Sequence, residues 1–239
     1  MKKVLVLVAV ATIFGSIAFA EKVMEVGVKG GLLLNAGTKL AKEKEYKDIM
    51  IDEGSTVNEK MTLGGDVGIF GHFGLVDLGP GTFSLQPEVF FSFANGLRYE
   101  EKQYDWSYKA SLKYNSLDIA LLVGYDIPVG KISIRPFLGP KVGIPVGKMK
   151  CDYDYGEDDD SSLDIKMKGA TIGMDFGCGI AIPLGKFVLG ADVRYGIDFN
   201  KVKAEFQAYD EYGDYAGKKD FDVLRRGALG INITAGYRF

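Results

Sequence analysis

The chain has 239 residues and a formal net charge of −3, so it lacks the basic excess that is typical of nucleic-acid-binding proteins. Hydrophobic residues make up 47% of it, which excludes disorder for most of the chain. Beyond the N-terminal segment, no apolar run reaches the length of about 18 residues that a membrane-spanning helix needs. The length fits one folded domain, or at most two.

Residues 1–20 have the features of a secretory signal peptide. A basic start at residues 1–3 is followed by an apolar run at 4–14, and Ala18-Phe19-Ala20 fits a small-residue cleavage site. A retained membrane anchor is the alternative, but the apolar run is shorter than the roughly 20 residues of a spanning helix. We therefore expect a mature domain at residues 21–239.

Alternation of apolar residues with period 2 predicts eight strands in the mature chain. The predicted strands are 23–34, 63–75, 82–94, 115–125, 132–144, 170–182, 187–197 and 227–239. They are longer than the usual strand of about 5 to 6 residues. Their length instead fits a tilted strand that crosses a membrane, which needs about 9 to 11 residues.

The two faces of these strands differ sharply in charge. One face carries no Asp, Glu, Lys or Arg in any strand, as expected if it faces lipid, where a midplane charge costs about 2–4 kcal/mol. The other face combines many glycines with nearly balanced charges, and buried charges must be paired. We therefore predict a charge network in a narrow lumen, formed by Glu25, Lys29, Asp66, Glu88, Asp118, Arg135, Lys141, Asp175, Asp192 and Arg194. Arg135 is the first choice as its central residue, because its strand is central and its guanidinium can bridge two carboxylates. A soluble sandwich with one hydrated face is the alternative.

The connections alternate in length. Long, charged connections are predicted at 35–62, 95–114, 145–169 and 198–226, and short ones with Gly and Pro at 76–81, 126–131 and 183–186. Outer-membrane barrels combine long extracellular loops with short periplasmic turns in this way. Pro87, Pro136 and Pro140 lie inside predicted strands, where each removes a hydrogen-bond donor, so we expect local bulges there.

Residues that could support chemistry are few. His72, the single histidine, is predicted to point into the lumen near the periplasmic end, away from the outer leaflet where a lipid-modifying enzyme would act. The acidic run at 151–160 offers oxygen ligands for Ca²⁺, but its spacing does not match a known loop, and a solvated loop is the simpler interpretation. Cys151 and Cys178 are expected to lie too far apart for a disulfide.

Aromatic residues cluster in the second long connection. They are Tyr99, Tyr104, Trp106, Tyr108 and Tyr114. An interfacial girdle or an extension of the strands above the membrane is one interpretation. Binding anchors on exposed loops are the other.

The last predicted strand places Leu229, Ile231, Ile233, Tyr237 and Phe239 on one face. This segment resembles the closing strand of Gram-negative outer-membrane β-barrels, in which a terminal aromatic residue with Tyr two positions earlier acts as an assembly signal. By that resemblance, Tyr237 and Phe239 would carry the signal here.

Three further segments strengthen the likeness. Leu85-Gln-Pro-Glu-Val-Phe-Phe-Ser, Ile134-Arg-Pro-Phe-Leu-Gly-Pro and Asp175-Phe-Gly-Cys-Gly-Ile resemble recurring pieces of the outer membrane protein β-barrel family, with the OmpA membrane domain, OmpX and opacity-type proteins. The resemblance implies an all-β fold, an eight-stranded antiparallel up-and-down transmembrane β-barrel with long extracellular loops and short periplasmic turns. It also implies the outer membrane of a Gram-negative-type bacterium.

The barrel architecture is compatible with several functions. We expect a structural or adhesin-like surface-interaction role that the extracellular loops carry. A narrow pore for small solutes is the alternative, and a lipid-modifying enzyme is less favoured, so we expect no catalytic residues, cofactor or metal. The expected partners are outer-membrane lipids, the barrel-assembly machinery and periplasmic chaperones, together with an extracellular ligand that the sequence does not identify; nucleic acid is not expected.

Overall fold

A computed structural model of the chain describes residues 24–40, 56–103, 106–154, 160–209 and 215–239, and its regular structure there is β-strand. The predicted signal peptide lies outside these ranges. The strands are β1 (Met24–Leu34), β2 (Lys39–Leu40), β3 (Thr56–Lys60), β4 (Leu63–Leu78), β5 (Gly81–Gln103), β6 (Trp106–Val129), β7 (Ile132–Asp154), β8 (Asp160–Lys168), β9 (Thr171–Leu184), β10 (Phe187–Asp198), β11 (Val202–Tyr209), β12 (Tyr215–Arg225) and β13 (Gly227–Arg238). No helix in the described part of the chain is long and apolar enough to cross a membrane.

Eight of these strands form a closed antiparallel ring. Its order is β1-β4-β5-β6-β7-β9-β10-β13, and β13 pairs back onto β1. Each ring strand contains one of the eight predicted segments almost completely, so the predicted eight-stranded up-and-down barrel is confirmed. Closure leaves no unpaired edge along the ring, and this removes the exposed backbone donors and acceptors that an open sheet would present.

The three short connections are two-residue hairpin turns. The strands are still paired at Leu78↔Gly81, Val129↔Ile132 and Leu184↔Phe187. Gly79, Gly130 and Gly185 occupy the first turn position with φ of 60°, 61° and 67°. A glycine with positive φ at this position is typical of type II′ turns, whose twist matches that of the flanking strands.

The opposite rim differs from the sequence prediction. The segments predicted as long loops (35–62, 95–114, 145–169 and 198–226) contain β2, β3, β8, β11 and β12, together with the outer parts of β5, β6 and β7. These strands pair in the order β3-β5-β6-β7-β8-β11-β12-β2. We call this sheet, which continues the barrel wall beyond the eight-stranded ring, the outer extension.

An apolar core explains why these segments are strands rather than loops. The core contains Tyr114, Met149, Cys151, Met167, Val202, Ala204 and Leu224, with Leu112, Ile165 and Val223 packed against it. Burial here raises the pKa of the Tyr114 phenol. Tyr99 is also buried. For Tyr99 and Tyr114, the structure agrees with a strand extension and not with exposed binding anchors.

The prediction of bulges at the three strand prolines was wrong. Pairing of β4 with β5 stops around Pro87 but resumes in the same register, and pairing of β6 with β7 does the same around Pro136 and Pro140. The other neighbour of each proline stays paired, at Pro87↔Leu121, Pro136↔Cys178 and Pro140↔Met174. A strand residue directs its N–H to one neighbour, so a proline interrupts that ladder alone.

Cys151 lies in β7 and is buried in the outer extension, whereas a loop position was expected. Cys178 lies in β9 and is exposed on the barrel wall, and no disulfide joins the two cysteines. In the Cys178→Ser variant in lipid vesicles, Cys151 should therefore react slowly with a polar maleimide until the chain is unfolded in urea. The Cys151→Ser variant is the control, and its Cys178 should react with a lipid-soluble maleimide. Rapid polar labelling of Cys151 would place it in a solvated loop and contradict the extension.

Candidate functional site

The barrel exposes apolar side chains on its outer wall. The exposed belt includes Val26, Val28, Leu32, Leu63, Val67, Ile69, Phe93, Leu138, Val142, Ile172, Phe176, Ile180, Leu189, Val193, Ile231 and Ile233. In water, so large an apolar surface would be an aggregation hazard. It is the surface expected of a barrel embedded in lipid.

The charged face points into the ring. Of the ten residues predicted for the lumen network, nine are buried, and Arg135 is partly exposed at the rim that carries the short turns. Some of their contacts, such as Arg194 with Glu88 and Arg135 with Glu25, join strands on opposite sides of the ring, so these contacts cross the interior. They fall into three tiers, named here periplasmic, middle and outer.

The middle tier is organised by Arg194 on β10. Its guanidinium donates two hydrogen bonds to Glu88 on β5 (2.6 and 3.2 Å) and two to Asp192 (2.8 and 2.9 Å). Lys29 donates a further bond to Glu88 at 2.9 Å, and the Asn232 amide donates one to Asp192 at 2.9 Å. Double fork contacts of this kind are the strong form of the arginine–carboxylate pair.

The outer tier is organised by Arg226, which the sequence prediction missed. Arg226 donates to both carboxylate oxygens of Asp118 (2.7 and 2.9 Å), and its Nε lies 3.4 Å from Asp198. Lys141 lies 2.8 Å from Asp175 and 3.7 Å from Asp198. Arg226 and Asp198 fell inside a segment taken for a loop. Asp198 is the last residue of β10 and Arg226 directly precedes β13, and their position next to the predicted strands was the available signal.

The periplasmic tier contains Arg135, the residue expected to bridge two carboxylates. Its guanidinium lies 3.3 Å from Glu25 and 3.2 Å from Asp126, and Asp126 was not among the predicted lumen residues. The His72 ring nitrogens lie 2.7 Å from Asp126 and 3.1 Å from Gln86. His72 thus points into the lumen near the periplasmic end, as expected, and is held by two polar neighbours.

Asp66 takes no part in the hydrogen bonds and ion pairs of the three tiers described above. It is buried, and within the described chain neither of its carboxylate oxygens has a hydrogen-bond partner. It lines a cavity of about 20 Å³ together with Asp118, Asp175 and Arg194. A volume of about 10–15 Å³ is enough for one water molecule, so a single water could solvate this carboxylate.

Aromatic side chains fill the space between the charges. Phe90 and Phe137 form a buried cluster with Ala120 and Leu122. The Lys29 ammonium lies 4.4 Å from the Phe90 ring centre, and the Arg194 guanidinium lies 5.1 Å from that of Phe137. The sequence pattern indicates charges and glycines for the lumen but does not predict this cation–π packing.

A larger cavity lies at the periplasmic rim of the lumen. It has a volume of about 280 Å³ and is lined by polar residues that include His72, Asp126, Ser133, Arg135 and Arg238. Farther in, the middle tier and the Phe90–Phe137 cluster occupy the cross-section. The interior is therefore a packed core with a small vestibule at one end.

The remaining candidate residues do not form a site in the described part of the chain. Asp152 and Asp154 belong to β7, while 155–159 of the acidic run lie outside the described residues. No group of three or more metal-ligating residues is present among the residues described. Tyr237 packs edge-on against Phe187 and Phe239, with ring centres 5.5 and 5.2 Å apart.

Removal of the Arg194 side chain should lower the free energy of unfolding by about 3–5 kcal/mol, because Arg194→Ala leaves Glu88 and Asp192 buried with fewer partners. Arg135→Ala is the matched control, since it removes the same group at a rim where 14% of the side chain is exposed, against 4% for Arg194. We expect a clearly smaller loss there. Urea unfolding in lipid vesicles measures both, and equal losses would contradict the central position of Arg194.

Comparison with known proteins agrees with this architecture. The family model described as "Outer membrane protein beta-barrel domain" matches residues 19–204. Among curated proteins, none has a detectable sequence match to the chain.

Solved structures of similar fold come from several bacteria. A major outer membrane protein from Thermus thermophilus is 14% identical, with a TM-score of 0.51 over 92% of this chain and 100% of that chain. OprG from Pseudomonas aeruginosa is 15% identical, with a TM-score of 0.48 over 90% of this chain and 95% of that chain. Neisserial surface protein A is also 15% identical, with a TM-score of 0.38 over 90% and 98%. At such identity the likeness to the Thermus protein shows a shared fold and nothing more.

The family match covers most of the chain, and the closed ring of eight strands with its apolar belt agrees with it. The chain belongs to the outer membrane protein β-barrel domain family and is a protein of the outer membrane of a Gram-negative-type bacterium.

Proposed function

We propose that this protein is a membrane-anchored platform whose outer extension makes adhesin-like contacts at the cell surface. The observation that carries the proposal is the difference between the interior of the ring and the interior of the outer extension. The ring in the membrane is filled with paired charges and aromatic side chains, whereas the outer extension continues as a paired sheet with its own apolar core. Such a structure holds surface groups in fixed positions above the bilayer.

Rigidity supports an interaction role for the extension. A binding surface that is already ordered loses less conformational freedom when a partner docks. The outer parts of β5, β6 and β7 remain paired well beyond the predicted membrane strands, as far as Gln103↔Trp106 and Lys109↔Asp154. Solvated loops of the same length would have to become ordered on binding.

The alternative, a narrow solute pore, has less support. Eight strands enclose an interior that side chains can fill. Here Arg194, Glu88, Phe90 and Phe137 occupy it at mid-height. The vestibule of about 280 Å³ at the periplasmic rim is the feature that favours solute entry, but it leads to the packed middle tier.

Outer-membrane lipids, the barrel-assembly machinery and periplasmic chaperones remain the proposed partners for insertion. Tyr237 in β13 and Phe239, which directly follows β13, are the proposed assembly signal. Phe239 is exposed, and its backbone N–H donates to Met24 at the start of β1. This position places both aromatic rings at the seam where the first and last strands close the ring.

Planar-bilayer recording separates the platform from the pore. The purified full chain should give no stable unitary conductance, because the paired charges and aromatic rings of the middle tier fill the lumen at mid-height. Phe90→Trp is the control, since it adds bulk inside the lumen without changing the charge. Stable conductance of the wild-type chain that Phe90→Trp reduces would establish a pore through the lumen and overturn the platform.

The surface role can be tested with cells of a non-adherent Gram-negative host. Cells that express the full chain should attach to cultured epithelial monolayers more than cells that express a variant with a shortened β5–β6 hairpin. The variant lacks residues 99–110, whose described part is paired from Tyr99↔Ala110 to Gln103↔Trp106 and lies above the membrane strands. Equal attachment, with equal amounts of both proteins in the outer membrane, would contradict a role of this hairpin in adhesion.

A further inference from the structure

The outer wall of the extension carries many basic side chains just above the apolar belt. They are Lys60, Arg98, Lys113, Lys148, Lys150, Lys166, Lys168, Lys201 and Lys203, and all are exposed except the half-buried Lys168. We call these residues the basic band. The band follows β3, β5, β6, β7, β8 and β11, so it covers a large part of the circumference.

Cross-strand register brings like charges of the band directly opposite one another. The facing pairs are Lys60↔Arg98, Lys113↔Lys150, Lys148↔Lys166 and Lys168↔Lys203. Like charges at directly opposed strand positions destabilise a sheet. Four such pairs on neighbouring ladders oppose folding of the extension unless another group supplies negative charge.

Carboxylates of the chain offset part of this repulsion. Glu100 pairs with Lys60, Asp164 with Lys148, and Asp222 with Lys201. Glu205 lies 2.6 Å from Lys168 and 3.7 Å from Lys166. The side chains of Lys148 and Lys166 nevertheless remain 62% and 65% exposed, so their ammonium groups can still reach a partner outside the chain.

The band begins where the apolar belt ends. The outward residues Val146 on β7, Ile172 on β9 and Phe199 after β10 are exposed apolar groups at the upper edge of the belt. Lys148 follows Val146 by two residues in β7, which is roughly 7 Å along a strand, and Lys201 follows Phe199 by two residues in the connection between β10 and β11. Lysine side chains at this height can extend along the apolar surface and place their charge at the lipid headgroups.

We propose that the basic band docks phosphate groups of anionic lipids in the leaflet around the outer end of the barrel. A phosphate between two facing lysines replaces their repulsion with two attractive contacts. The facing pairs have the spacing for this, since opposed side chains start about 4.5–5.5 Å apart at their Cβ atoms. The belt holds the acyl chains, and the band holds the headgroup, so one lipid contacts both surfaces.

The preference for anionic lipid can be measured by native mass spectrometry of the full chain in detergent micelles that contain phosphatidylglycerol or phosphatidylcholine. The wild-type chain should retain phosphatidylglycerol in preference to phosphatidylcholine. The double substitution Lys113→Gln with Lys150→Gln should reduce that preference about fivefold or more. One lysine near an anionic membrane surface contributes binding free energy that corresponds to about this factor. Added salt should weaken it as well.

Two further variants define the comparison. Lys131→Gln with Lys186→Gln removes the same charge from the short turns at the other rim and should keep the preference. Lys113→Arg with Lys150→Arg retains the charge and should also keep it. Equal retention of the two lipids by the wild-type chain, or an equal loss in both Gln variants, would overturn the proposal. Tighter binding of a soluble sulfated polysaccharide than of phosphatidylglycerol would assign the band to an extracellular polyanion and overturn it too.

Discussion

Charge compensation inside the barrel is the constraint on which the rest of the structure depends. A carboxylate or guanidinium removed from water loses several kcal/mol of solvation, and pairing with good geometry is needed to offset this loss. In each tier, an arginine meets this need with contacts across the ring: Arg194 with Glu88, Arg226 with Asp118, and Arg135 with Glu25. Because each contact joins strands that are far apart in sequence, it forms only when the ring has closed in one register. A slip of one residue would turn these charges toward lipid.

The ring and the outer extension share strands but place apolar side chains on opposite faces of them. In the membrane, β7 places charged Arg135 and Lys141 inside and apolar Val142 and Val146 outside. Above Gly147, the same inner row carries Met149 and Cys151, and the outer row carries lysines. Lipid surrounds the lower part and water the upper part, so the apolar side chains move from the wall to the core. Backbone irregularities mark this transition, with register shifts between Ser92 and Asn95 and between Lys113 and Asn115.

The filled lumen and the apolar core of the outer extension together determine which kinds of activity the fold favours. Packing of Phe90 and Phe137 against the cations of the middle tier fills the lumen at mid-height in the described part of the chain. The surfaces that remain available for interaction are therefore the outer wall of the extension and the contact with lipid. The proposed surface role and the proposed lipid docking use these two surfaces, and both depend on the extension remaining a paired sheet.

The sequence alone determined the ring. Period 2 and the charge-free face located all eight ring strands, since lipid tolerates no charge on one side and a narrow lumen requires paired charges on the other. The hairpin glycines located the three short turns, because positive φ strongly favours glycine there. The alternation of residues between the two faces of each strand also indicated which charged residues share a face, but it could not assign their partners. Arg135 was therefore preferred to Arg194, and Arg226 was missed. Partner choice depends on the height of each residue in the closed barrel, which only the tertiary structure fixes. The outer extension was missed for a related reason. Its apolar side chains occupy the strand face that carries charges lower in the barrel, and only the successive pairing of β7 with β8, β8 with β11 and β11 with β12 shows that they form a core.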